Sequence, residues 1–142
     1  ALADKLGVSV GAPLLRMQRV RLIEGEPASI ETAHVNLSLC PALPDHDFEC
    51  ESLYDVLLKE GGVRVEHGRE HISISRLNAE EAELLQQEEG TPVFYESTIE
   101  FDKDMRFVEH CKSVILPTKF RFADNGEENG MRSVAGEQWL KQ

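Results

Sequence analysis

The chain has 142 residues, 41% hydrophobic and 29% charged, with 15 basic against 26 acidic side chains for a net charge of −11. These values suit one globular domain around a single core and exclude a membrane-spanning helix, because no apolar run approaches the ~20 residues one needs. They also exclude nucleic-acid binding by this segment alone, since phosphate backbones are held by fields of the opposite sign.

Cys40, Cys50 and Cys111 are an odd number without CxxC spacing, which points away from a disulfide framework or zinc ribbon and towards reduced thiols in a cytosol. No basic stretch followed by an apolar one opens the sequence, so export is not expected and a cytoplasmic location is. The first residue is not Met, which leaves room for an upstream segment.

In chain order, "ALADKLGV" reads as the last turns of a helix that stops at "GAP". Leu14 to Glu24 and Pro27 to Ser38 read as two strands of a hairpin around "EGE", with Pro27 where a missing N–H does least harm. "LSLCPALPDHDFECE" has two prolines and no period, and is a loop. "ESLYDVLLKEGG" predicts a short helix with Ser52 as N-cap, Asp55 as capping-box partner and Gly61-Gly62 as stop. From Val63 to Leu77 the alternation changes phase once, at Gly68, which predicts one long strand with a bulge there.

"NAEEAELLQQEEG" repeats the helix grammar, with Asn78 as cap, Glu81 as box partner and Gly90 as stop. Val93, Tyr95, Ser97, Ile99 and Phe101 share one face of the next strand, and "KDMR" turns the chain into "FVEHCKSVIL". "TKFRF" reads as a last short edge strand. Residues 124–142 are polar and Gly-rich, and are expected to form a loosely docked or partly disordered tail. Strands and short helices joined by hairpin-length links give α+β with a mostly antiparallel sheet.

The informative residues are charges on strands. Alternation puts Leu15, Met17, Arg19, Arg21 and Ile23 on one face of the first strand, so two arginines stand in line with three apolar residues. Either their long stems carry the charges out to water, or both guanidinium forks face a pocket and await an anion, as paired donors suit carboxylate or phosphate oxygens. A three-residue loop Glu24-Gly25-Glu26 would set Glu31 across from Arg19, and a two-residue loop Gly25-Glu26 would face Glu31 the other way.

Ser52 at a helix start offers a hydroxyl beside free N–H groups and the positive end of a dipole, although a simple cap explains it as well. Glu109 shares its strand parity with Phe107, Cys111, Ser113 and Ile115, and a carboxylate placed there requires a hydroxyl, an Arg or water against it. His67 and His71 in "HGREH" have metal spacing for a helix but not for the strand expected there, so no metal is expected. Hydrolase and nucleotide-binding motifs are absent.

The succession "LGVSVGAPLLRMQRVRLIEGEPASIETAHV", "SLYDVLLKEGGVRV", "ISRLNAEEAELLQQEEGTPVFYESTIEFDKDMRFVEH" and "TKFRF" resembles the UTRA domain. That domain is the effector-sensing half of GntR-type bacterial transcriptional regulators of the HutC subfamily. The likeness runs from about Leu2 to Phe122. It implies a chorismate-lyase-like fold with about six mainly antiparallel strands, short flanking helices and a ligand pocket between sheet and loops. It also implies a sensing domain over 1–123, a winged-helix DNA-binding domain upstream of this chain, a cytoplasmic homodimer and no cofactor.

Position by position, the resemblance assigns effector contacts to Arg19 and Arg21 of the first strand, Glu31 of the second, Ser52 and Tyr54 of the helix start, and Glu109 late in the sheet. In members that sense sugar phosphates, the arginines and the Ser hold phosphate and the carboxylates hold hydroxyls. Leu116 and Thr118 depart from the family, which often carries an Arg and an Asp there. A sensor of an amino-acid derivative or phosphonate would use the same arginines. An enzyme with Glu31 or Glu109 as general base is the rival, but a carboxylate beside arginines is expected to have a lowered pKa, which suits holding a ligand better than taking a proton.

Overall fold

The computed structural model describes residues 11–124, 129–133 and 137–141, with side chains up to residue 119; the expected N-terminal helix falls outside them. Eight strands are described: β1 (Leu14–Ile23), β2 (Glu26–Asn36), β3 (His67–Arg76), β4 (Pro92–Phe101), β5 (Phe107–Ile115), β6 (Phe120–Asp124), β7 (Asn129–Ser133) and β8 (Glu137–Lys141). Two α-helices, α1 (Leu53–Gly61) and α2 (Ala79–Leu85), and 3-10 turns at Leu43–Asp45 and Pro117–Lys119 complete the set. Six strands form one sheet in the order β3-β4-β5-β2-β1-β8, and β6 pairs with β7 in another. The α+β class read from the sequence holds.

Neighbouring strands run antiparallel. Glu66 donates to Phe101 and Leu77 to Thr91 at the two ends of β3–β4, and Leu116 donates to Ala28 beside β5–β2. The β1–β2 turn is the pair Glu24-Gly25, at φ 52° and 80°. Two successive positive φ values make the mirror-image turn whose twist matches that of the strands, and Gly25 adopts it without steric cost. Neither loop considered from the sequence is the one formed.

The two ends of this hairpin are out of step by one residue. Ile23 and Glu26 close the turn, yet Leu37 donates to Pro13 where an even ladder would bring Asn36. One extra residue in β2, the mark of a bulge, accounts for the slip.

α2 carries the predicted capping box: Glu81 N–H donates to Asn78 Oδ1 and Asn78 N–H to Glu81 Oε1, both at 2.9 Å. The helix stops at Gln86 (φ 56°), earlier than expected. Gly90 instead begins a bulge, donating to the Leu77 carbonyl while Leu77 donates to Thr91, so two residues face one. In α1, Ser52 is the N-cap but its side chain makes no capping bond, so the predicted box with Asp55 is not formed; Gly62 (φ 64°) ends the helix as expected.

The remaining strands depart from the simple sequence reading. β3 begins at His67, placing Gly68 second in the strand and not in its middle. Ile72 and Ile74 on it are 40% and 77% exposed, so their alternation marks no buried face. The polar tail contains β7 and β8, with β8 paired along β1 from Arg19 opposite Lys141 to Ile23 opposite Glu137. "TKFRF" splits between a 3-10 turn and β6, whose partner is β7.

The chain packs as two units. One comprises residues up to Met17, Thr32–His71 and Ser97–Lys112; the other comprises Gln18–Glu31, Ile72–Glu96 and the residues from Ser113 on. The first is built on Val35, Cys40, Leu43, Val56, Leu57, Val63 and Val108, the second on Val20, Ile30, Leu77, Ala82, Leu85, Val93, Val114 and Leu116. In the first unit the β4–β5 turn is tied by Asp102, which accepts from the backbone of Asp104 and Arg106 and from Arg106 Nε at 2.7 Å. Burial would push this carboxyl up, but the bonds from Arg106 and Asp104 outweigh it and hold it below its ordinary value.

The two helix starts give a paired test. Asn78→Ala, which removes a formed cap, should cost about 1 kcal/mol in urea unfolding, whereas Ser52→Ala should stay within about 0.5 kcal/mol. Equal losses would contradict the capping geometry.

Candidate functional site

The site residues named from the sequence fall into two groups. Arg19, Arg21 and Glu31 lie in the second unit, on the β1–β2 hairpin, and all three are half-buried. Their charges act on one another. Burial pushes the Glu31 carboxyl up from its ordinary value, and the charges of Arg19 and Arg21 only partly offset it. Burial lowers the Arg21 pKa and Glu31 opposes that, although a guanidinium keeps its charge at any ordinary pH.

The direction at Glu31 corrects the sequence reading, which expected the arginines to win. The physical reason is depth: removing a carboxylate from water costs more than two flexible, half-buried cations return. What results is a patch with two fixed positive forks beside a group that resists its own negative charge.

Ser52, Tyr54 and Glu109 lie in the first unit. Glu109, on β5, is buried, and Oε1 accepts a hydrogen bond from the Tyr54 hydroxyl at 2.8 Å. The partner the carboxylate required is therefore a phenol on α1. Burial and then the nearby Glu109 charge raise the Tyr54 pKa far above its ordinary value, so the hydroxyl remains a donor. The Tyr54 ring is nevertheless 47% exposed. Ser52 is exposed and lines an open cleft of about 390 Å³ with His46, Cys50, Glu51, Asp55, Val56, Lys59 and Glu60. Three of those neighbours are carboxylates, a setting less welcoming to an anion than the helix start alone suggested.

Some polar features escaped the sequence reading. His110, buried on β5, contacts Ser97 Oγ through Nε2 at 3.1 Å and stacks on His34 at 6.2 Å between ring centroids. Burial, followed by Arg16 and Lys112, holds the His34 pKa below its ordinary value. The signal for His110 was hidden because Phe107, Val108, Glu109 and His110 are all buried in a row, leaving no alternation to read. Tyr54 came only from the resemblance; a surface-looking tyrosine in a helix carries no period of its own. His67 and His71 are exposed on β3, about 13 Å apart at the rise of a strand.

The family model described as the UTRA domain matches residues 1–121, so the chain belongs to the UTRA domain family. Among its relatives, the HTH-type transcriptional repressor NagR of Bacillus subtilis is 26% identical over 121 residues, covering 85% of this chain and 49% of the repressor. The HTH-type transcriptional repressor PhnF of Mycolicibacterium smegmatis is 28% identical over 121 residues, again covering 85% and 49%. The chain spans about half the length of these curated relatives.

The crystal structure of the effector domain of PhnF from Mycobacterium smegmatis superposes with a TM-score of 0.77 at 29% identity, over 86% of this chain and 75% of that one. A GntR-family transcriptional regulator from Enterococcus faecalis shares the fold, with a TM-score of 0.79 at 22% identity over 87% and 88%. The proteins this chain matches are transcriptional repressors, the effector domain of one of them and a GntR-family regulator.

Glu31 gives a pH test. The unfolded chain ionises this carboxyl at its ordinary value and the folded chain only at a higher pH, so its contribution to stability is full below the ordinary value and is lost as pH rises through the folded one. Relative to Glu31→Gln, the native protein should lose stability as pH rises from the ordinary carboxylate value through the higher folded one. A difference that stays flat, or that grows in favour of the native residue, would contradict burial as the dominant influence.

Proposed function

We propose that this domain senses a small anionic metabolite and thereby controls operator binding by a helix-turn-helix domain elsewhere in the same protein, acting as the effector half of a bacterial transcriptional repressor. The observation that carries the reading is the half-buried pair Arg19 and Arg21 beside a carboxylate whose own charge is disfavoured. The relatives, HTH-type repressors and a repressor's effector domain, support it.

On this reading the arginines take the anionic group of the effector, whose class is a sugar phosphate, with an amino-acid derivative or a phosphonate as the alternatives. Glu31 is the hairpin's acceptor for a neutral hydroxyl. Tyr54 with Glu109, and Ser52, are separate candidates for effector contact, each judged by its own variant. A winged-helix partner domain, a homodimeric assembly and a cytoplasmic location belong to the same proposal. Effector binding moves the repressor only through its difference in affinity for two states, typically ~1–3 kcal/mol.

Thermal-shift screening against sugar phosphates, amino-acid derivatives and phosphonates identifies the class, and calorimetry on the best ligand tests the residues. Arg19→Ala and Arg21→Ala should each weaken binding by roughly tenfold or more, the range expected for lost charge-assisted bonds, and Arg19→Lys should recover only part. Unchanged affinity in both alanine variants would remove the hairpin from the effector site. Tyr54→Phe, which deletes only the donor to Glu109, separates that pair from the arginines: a loss of affinity includes it and no change excludes it.

A further inference from the structure

One cluster outside the proposed effector residues has both its geometry and its chemistry fixed by the structure. His46 follows the 3-10 turn Leu43–Asp45, in the loop that leads into α1. Its Nδ1 lies 3.0 Å from both carboxylate oxygens of Glu51, and its Nε2 lies 2.6 Å from Oε2 of Glu60, in the last turn of α1. Ionised carboxylate oxygens only accept, so each ring nitrogen must carry a proton, and the ring that satisfies both is the imidazolium. A neutral ring would turn one lone pair against a carboxylate at hydrogen-bond distance.

We propose that His46 is a protonation-dependent latch that fastens the turn 46–51 along α1 by bridging Glu51 and Glu60. Apart from the ring, the turn is held by Phe48, which packs against the core of the first unit, and by a few hydrogen bonds of its own. Cys50 and Glu51 donate to the Asp47 carbonyl at 3.1 and 3.0 Å, Asp47 N–H donates to Glu51 Oε2 at 3.2 Å, and Glu49 N–H donates to Asp47 Oδ1 at 3.0 Å. Glu51 thus serves two masters, the turn and the ring, and loss of the ring's charge loosens both.

The groups around the ring are accounted for element by element. The turn supplies Asp47, Cys50 and Glu51; α1 supplies Asp55, Lys59 and Glu60, which line the same cleft. The Phe48 ring stands 6.1 Å from the imidazole, centroid to centroid. Carboxylates outnumber Lys59 and favour the charged ring. The hydrogen bonds from His46 to Glu51 and then Glu60 raise its pKa above the ordinary imidazole value. A raised value means that the latch is fully closed below the ordinary histidine pKa and opens as pH rises through the folded one.

The consequence reaches α1, because the latched turn ends at Ser52 and the first turn of the helix holds Tyr54 against Glu109. The latch does not depend on the identity of any effector, and it is measured without one. The experiment follows the His46 ring proton by NMR through a pH titration of the chain, together with amide exchange at Cys50 and Glu51 corrected for intrinsic base catalysis. In the native protein His46 should titrate above free histidine, and protection at both amides should be lost as it does so.

Glu60→Gln should move the titration down, and His46→Gln should leave both amides unprotected at every pH while α1 keeps its circular dichroism. An unchanged titration in Glu60→Gln, or protection in the native chain that ignores pH, would overturn the latch. Either result would leave the arginine-based effector reading untouched.

Discussion

The β1–β2 hairpin rests on one constraint: a charge that enters a covered strand must be matched close by or be resisted. Arg19, Arg21 and Glu31 meet it together, since none is fully exposed and each alters the field felt by another. The permanent charge of guanidinium makes the carboxyl the only member able to yield, and burial pushes it that way. Charges gathered in this way are weak evidence for stability, because desolvation cancels much of the attraction. On the proposed reading, their presence on a hairpin that is otherwise built from Val20, Ile23, Ala28 and Ile30 serves recognition more than folding.

The legible parts of the chain were those where one local rule acts alone. Asn78 and Glu81 closed their box, each side chain accepting from the other's backbone N–H. Ser52 and Asp55 have the same spacing, yet the Ser52 side chain makes no capping bond and the box stays open. Alternation located β1, β2, β4 and β5, but it failed to mark His110 or the exposed run of β3, since period-2 reading assumes one wet face and one dry one. At the C-terminal end composition gave no hint of β7 or β8, since pairing to an existing edge demands backbone bonds and little apolar area. Of the site, the hairpin charges and Glu109 were readable as anomalies, while Tyr54 needed the family likeness and His46 needed the fold.

The repressors that resemble this chain extend to about twice the matched length. A domain of net charge −11 is itself repelled by DNA. On the proposed reading that repulsion leaves operator contact to another part of the protein, and small energy differences suffice, because a repressor needs only a shift in the balance between two arrangements.

The pairing of β1 with β8 joins Arg19 to Lys141 and Ile23 to Glu137, residues that leave the ribosome far apart in time. During synthesis the outer side of β1 therefore stays open, with its amides and carbonyls unsatisfied, until the late strand arrives. The arginine-bearing ribbon is among the first parts of the sheet to emerge and among the last to be enclosed. For much of its birth the nascent chain thus carries an adhesive margin, which the last strand closes.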